Sequence, residues 1–349
     1  MSTVPPWALP PRPGGYAPRR SNAGAVVAAL LVAAFVVSAG LIGLVAMSGK
    51  RTPVADTGYD YPYTSERPRA GAADDTRTTT TRATAARRTT TTTRATTTAR
   101  TTTTRTTPAG PRPVLALGDN PLFAGEFGAG PVTCTLSRWA TNPQAAAEFF
   151  ASAIPCLEAA WAPILQRAGL PYSRPNLEVP AGTATSSPCT GNSGRSFAAF
   201  YCPSNKTIYM PFGTLQTDLY GARPGVYLAL FAHEFGHHVQ AQSGVLEAFY
   251  RAQYEAGPDT EAGLELSRRT ELQAQCFSGM FLAAAWPRGS VNNTILTEAR
   301  TTQDRGDHTP GEPRDHGTDA HAIAWWEQGA QKNRTFECNT WLVASAQVA

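Results

Sequence analysis

The sequence predicts an α+β domain held behind one membrane-spanning helix and a long unstructured linker, and three observations carry that prediction. Residues 225–240 and 267–286 are apolar at helical spacing and supply two packed helices. FYCPSNKTIYM, at 200–210, has β-rich ends around the turn-like Pro203-Ser204-Asn205 and supplies strands. Residues 23–47 form an uninterrupted uncharged run.

Taken in order, the chain divides at 1–22, 23–47, 48–112 and 113–349. The first part is short and Pro-rich, with PPWALPPRP, and is expected on the cytoplasmic side. The second is long enough as a helix to cross a hydrocarbon core of about 30 Å. A cleaved signal peptide would carry a shorter apolar region of about 7–15 residues, so the run is read as an uncleaved anchor rather than a leader or a buried helix. Charge near its ends orients it weakly, with Arg12, Arg19 and Arg20 before it and Lys50 and Arg51 after it.

Between residues 77 and 107 the linker contains only Arg, Thr and Ala, too little apolar area to offset the entropy of ordering a backbone. It is a solvated, disordered spacer by composition; contact with anionic headgroups or envelope polymers and a glycosylated stalk are the other readings. Residues 113–349 have mixed composition and length enough for one substantial core.

The net charge of +4 hides an asymmetry: residues 1–112 hold 15 Lys and Arg against 5 Asp and Glu, and residues 113–349 hold 15 against 21. The expected folded part is therefore acidic. Phosphate binding needs Lys and Arg clustered on the reading surface, so nucleic acid is not an expected partner.

All six cysteines, at 134, 156, 189, 202, 276 and 338, follow the linker, and none forms a Cys-x-x-Cys pair. An even set confined to one region suggests disulfides, which persist outside the cytoplasm. The domain is accordingly expected to be extracytoplasmic on a single-pass anchor in the cell membrane. Among the 15 possible connectivities of six cysteines, proximity favours Cys189–Cys202 and Cys134–Cys156, leaving Cys276–Cys338.

The chemistry concentrates in FAHEFGHHVQ, residues 231–240. Residues four apart lie about 40° apart around a helix, so His233 and His237 can reach one metal ion, with Glu234 beside them. His238 points elsewhere and reads as a structural or surface histidine. A third ligand is sought on SRRTELQAQCFSGMFLAAAW, where Leu272, Cys276, Phe277, Met280 and Phe281 form an apolar stripe and Glu271 stands beside it. A carboxylate there needs a partner, either a metal or an ion pair with Arg268 or Arg269. Gly279 permits close approach of another backbone.

FAHEFGHHVQ, ELQAQCFSG at 271–279, FYCPSNKTIYM and DHGTDAHAIAWW at 315–326 together resemble the neutral zinc metallopeptidases of bacteria, gluzincin-like proteins with a zincin core. The resemblance covers roughly residues 171–329. It implies a zincin-like metallopeptidase domain, an active-site helix with a small sheet. Zinc is then held by His233, His237 and Glu271, with Glu234 as general base and an edge strand, here within 200–210, that pairs with extended peptide or protein substrates. His316 is the implied donor to the tetrahedral oxyanion, with His308, His321 and several tyrosines competing for that role.

Two departures stand out. The family usually has Asp where this chain has Gln275, one helical turn beyond Glu271. An amide oxygen can accept the second ring N–H of a zinc histidine, but without charge, so weaker zinc is the expectation. Ala322 stands where the family often has Arg, which bears on substrate contacts. Two rivals to a peptidase follow: a zinc-binding surface scaffold without turnover, which Gln275 favours and Glu234 disfavours, and a helical domain whose motif is fortuitous, which predicts no stoichiometric zinc.

Overall fold

The computed structural model describes residues 110–190, 199–307 and 313–349. The N-terminal segment, the apolar run at 23–47, the linker as far as residue 109, and His308 lie outside the described residues. Within them the fold is α-rich with one small mixed sheet, in keeping with the α+β expectation.

Helix α1 (Pro143–Arg167) opens on Asn142, whose side chain accepts the N–H of Ala145, with Pro143 in the first turn. Pro155 and Pro163 lie inside it, each able to cost about 3 kcal/mol in an isolated helix. The helix persists because Phe149, Phe150, Leu157, Trp161 and Ile164 are buried in the main core, and burial of side chains this size contributes roughly 1.5–3 kcal/mol each. Among the described residues, α1 is long and apolar enough to cross a membrane by composition. Its buried side chains and its disulfide from Cys156 to Cys134 make it a core helix of this domain.

Strands β1 (Asn176–Glu178), β2 (Phe200–Cys202) and β3 (Thr207–Tyr209) form a sheet in the order β1-β3-β2. The central β3 runs parallel to β1 and antiparallel to β2, with Phe200 opposite Tyr209 and Cys202 opposite Thr207. The two halves of FYCPSNKTIYM are therefore a hairpin with β2 at the sheet edge. Lys206 takes a positive φ of 54° at the turn, and Phe200 and Tyr209 stack at 4.7 Å. A disulfide joins Cys189 to Cys202 on β2.

The short α2 (Thr217–Tyr220) leads to α3 (Pro224–Ser243), which begins at Pro224 and ends where Gly244 adopts a left-handed conformation. After α4 (Val245–Ala256), the Thr260 side chain caps α5 (Glu261–Ala285), which stops ahead of Trp286-Pro287. Asn292 caps α6 (Asn293–Arg300) and Thr318 caps α7 (Asp319–Lys332).

Helix α5 is the spine. The predicted stripe Leu272, Cys276, Phe277, Met280 and Phe281 is wholly buried. On its α7 side the two backbones nearly touch: a Cβ added at Gly279 would overlap the Trp326 carbonyl, and one at Gly329 would overlap that of Cys276. The third disulfide, Cys276–Cys338, fastens the C-terminal segment to the same helix, so the two pairings favoured by proximity form, and so does the one left over.

Candidate metal centre

Helix α3 packs on α5 at Gly236, where an added Cβ would lie 3.1 Å from the Ala274 Cα. That close approach brings one face of FAHEFGHHVQ against Glu271. His233 Nε2 lies 3.1 Å from His237 Nε2 and 3.1 Å from Glu271 Oε2, and His237 Nε2 lies 3.2 Å from the same oxygen. The three atoms form a nearly equilateral triangle under a cleft of about 540 Å³.

Proton bookkeeping on the two rings decides what the triangle can hold. His237 Nδ1 faces Gln240 Oε1 at 2.8 Å, and the Gln240 amide nitrogen donates to the Thr270 carbonyl and to Gln273 Oε1. A carbonyl can only accept, so the amide is fixed with its oxygen toward the ring. His237 Nδ1 therefore carries a proton, and its Nε2 holds a lone pair when the ring is neutral. His233 Nδ1 likewise faces Gln275 Oε1 at 2.8 Å. With neutral rings, three lone pairs converge on one point and repel unless a cation sits between them. Zinc ligands around a tetrahedral ion stand roughly 3.3–3.6 Å apart, within a few tenths of an ångström of this triangle. The donor set fits zinc.

Burial shapes the charges. It lowers the pKa of His233, against the raising effect of Glu271. Burial also opposes charge on His237, but the Glu271 carboxylate outweighs it and pushes that ring up to about 9. Burial alone would raise Glu271; His237 and the bonds from both rings hold its carboxyl well below the ordinary range. Glu234, 4 % exposed, lines the same cleft.

His316 lines the same cleft beside the triangle, with Nε2 3.9 Å from Glu271 Oε2. Its Nδ1 donates to Asp315 Oδ1 at 2.6 Å, and Asp307 accepts the backbone N–H groups of His316 and Gly317. Among the described residues Asp307, Asp315 and His316 are a second group close enough to surround an ion. Their contacts account for one another as a hydrogen-bonded clamp on the ring: backbone donors occupy Asp307, and the imidazole occupies Asp315.

The remaining expectations sort cleanly. His321 bonds to Thr318 Oγ1 and the Ala349 carbonyl through Nδ1, away from the triangle. Arg268 pairs with Glu261 and Arg269 with Glu265, so neither engages Glu271. His238 is buried on the opposite side of α3, where Nε2 donates to the Ser173 carbonyl at 2.7 Å and Nδ1 accepts from the Tyr201 hydroxyl. Ala322 lines the cleft, as does Arg305. The sequence reading did not single out Gln240, Gln303, Asp307 or Asp315. Gln240 had a readable signal, three residues beyond His237 on one helical face; Asp315 had only adjacency to His316.

Residues 131–341 match the family described as "Putative neutral zinc metallopeptidase". Relatives include the uncharacterized protein YpfJ of Escherichia coli strain K12, 29% identical over 189 residues. The uncharacterized protein Rv2575 of Mycobacterium tuberculosis strain H37Rv is 29% identical over 198 residues. Each match covers 50% of this chain and 64% of the relative, so the chain spans just under two thirds of the length of these relatives. No solved structure matches the chain.

Proposed function

Because the chain belongs to the neutral zinc metallopeptidase family, we propose that it is a zinc-dependent peptidase whose metal is held by His233, His237 and Glu271. The observation that carries this reading is the triangle of His233 Nε2, His237 Nε2 and Glu271 Oε2 beneath a cleft that Glu234 also lines. Two neutral imidazoles and one carboxylate leave a site of net charge +1; bound there with an open position, zinc supplies a Lewis acid that polarises a peptide carbonyl and acidifies water. Glu234 then takes the proton of the attacking water and returns it to the leaving amine. His316, its Nδ1 committed to Asp315, offers Nε2 to the oxyanion from the cleft lining beside Glu271. The edge position of β2 supports a zincin-like arrangement in which extended substrate pairs with that strand.

We further propose that residues 113–349 form the catalytic domain, carried outside the cell membrane on residues 23–47 through the disordered linker at 48–112. The three disulfides support an oxidising location. A reporter active only outside the cytoplasm, fused after Ala349, is expected to be active; cytoplasmic activity instead would refute the orientation.

A second reading, a zinc-binding scaffold without turnover, draws on Gln275, a neutral amide where the family usually has a carboxylate. Metal analysis of the purified protein followed by a peptide-library digest, with and without a chelator, separates the readings. One zinc with chelator-sensitive cleavage supports the peptidase; one zinc without cleavage supports the scaffold; no zinc removes both.

A further inference from the structure

The amide that orients His233 is itself oriented. Gln275 is 3 % exposed, and its amide nitrogen donates to Gln303 Oε1 at 2.8 Å. Gln303, 2 % exposed, lies beyond the end of α6, and its own amide nitrogen donates to the Ala299 carbonyl. A backbone carbonyl can only accept, so the relay has one direction. The Ala299 carbonyl takes the Gln303 N–H, the Gln303 oxygen takes the Gln275 N–H, and the Gln275 oxygen takes the His233 Nδ1–H. Turning the Gln275 amide over would set its N–H₂ against the ring and its oxygen against the Gln303 oxygen, a repulsion at both ends.

We propose that Gln303 is a positioning residue that holds His233 in its metal-binding tautomer by fixing the orientation of the Gln275 amide. The inference rests on the reading of His233 as a ligand. A carboxylate accepts a ring N–H whichever way it is turned, whereas an amide does so in one orientation only. Where the family usually has Asp, no orienter of the orienter is needed; with Gln275 one is. The two histidines differ in this respect. Gln240, which orients His237, is anchored directly on the Thr270 carbonyl of α5. Gln275 reaches a carbonyl only through Gln303, which immediately precedes Asp304 and Arg305 in the cleft wall. Position of that wall and tautomer of the metal ligand are thereby linked through two hydrogen bonds.

The test uses the full-length chain in detergent, stripped of metal and labelled with 15N at its six histidines, with His233→Gln assigning the His233 signals. In the wild type the His233 proton is expected on Nδ1; a proton on Nε2 overturns the proposal without any relay variant. Gln303→Leu frees the Gln275 amide to turn over, and is expected to move the proton toward Nε2 and to weaken zinc in chelator competition by about 10–100-fold. Gln303→Glu, its buried carboxyl neutral and donating its O–H to the Ala299 carbonyl while the other oxygen accepts the Gln275 N–H, is expected to hold both readouts near wild type at a pH where that carboxyl keeps its proton. A Leu variant whose His233 keeps its proton on Nδ1 overturns the proposal, whatever its zinc affinity, since that result describes a merely structural residue. A Glu variant that behaves like Leu does the same. If the Leu variant fails to fold, the wild-type tautomer and the Glu variant still decide. Failure of the wild type to take up zinc sinks the zinc reading instead, because the tautomer is read without metal.

Discussion

His237 and His238 are neighbours on one helix, 4 % and 0 % exposed, and the structure pushes their protonation in opposite directions. His237 rises to about 9 because the Glu271 carboxylate outweighs the cost of burial. His238 falls to about 4 because burial, with the charge of Lys206, outweighs the Ser173 carbonyl and the distant Glu158, and no carboxylate bonds to the ring to offset it. Burial alone therefore does not mark a functional histidine; the partner oxygen does. A carboxylate shared with a second ring makes the proposed cation site, while Ser173 and Tyr201 build a strut between helix and sheet.

Removing the partner on the metal face is the harshest way to break this contrast. His237→Ala and Glu271→Ala are each expected to lose stoichiometric zinc and all hydrolysis, read by metal analysis after dialysis and by peptide cleavage. Full zinc retained by Glu271→Ala would end its assignment as a ligand. Next in size, Glu234→Gln is expected to keep zinc yet lower turnover by at least about 10²–10⁴-fold, since the amide is nearly isosteric but cannot take a proton.

On the strut face the effect is one of stability. His238 has a folded pKa of about 4 against an ordinary value of 6.5, so the unfolded chain binds more protons between those values. Its contribution, at most about 3 kcal/mol, is present above pH 6.5 and is lost as pH falls toward 4. The raised His237 contributes oppositely, fully present below 6.5 and lost as pH climbs through about 9, so it stays flat across the acid window. Denaturant unfolding of the metal-free wild type and His238→Phe is expected to show a steeper acid loss in the wild type; equal slopes would mean that the strut carries no proton linkage.

The mildest change sharpens the metal face. Gln275→Asp replaces the neutral acceptor on His233 with a charged one and is expected to tighten zinc by about tenfold and raise turnover, provided the shorter side chain still reaches Nδ1 and draws back from the Gln303 oxygen, which loses its N–H donor. A chelator competition that finds no change would mean the amide already orients the ring as well as a carboxylate does.

The proposed metal face was legible partly from spacing, His233 and His237 being four apart, and partly from the family resemblance, which implied Glu271 as third ligand where the stripe from Leu272 to Phe281 alone left an ion pair with Arg268 or Arg269 open. The hairpin was legible from Pro203-Ser204-Asn205 between β-rich runs, and two disulfides from proximity, which left Cys276 and Cys338 for the third. The clamp on His316 and the relay through Gln303 were not. Their partners come from separate segments, Asp307 against His316 and Gln303 against Gln275, and no local periodicity records a pairing made by tertiary packing. Helix α1 escaped for another reason: Pro155 and Pro163 argue locally against a helix that only the surrounding core sustains.

The Cys276–Cys338 bond closes a covalent ring of 62 residues of separation, and the ring contains α6, the cleft-lining residues Asp304, Arg305, Asp307, Asp315 and His316, and α7. A single backbone cut anywhere from 277 to 337 therefore leaves one molecule, its two pieces still joined through sulfur. If the cleft wall is nicked, whether by another enzyme or by a second copy of this one, nothing is released: the chain migrates intact without reductant and separates into two pieces with it. Such a cut beside the cleft would stay hidden in any assay that measures only size under oxidising conditions.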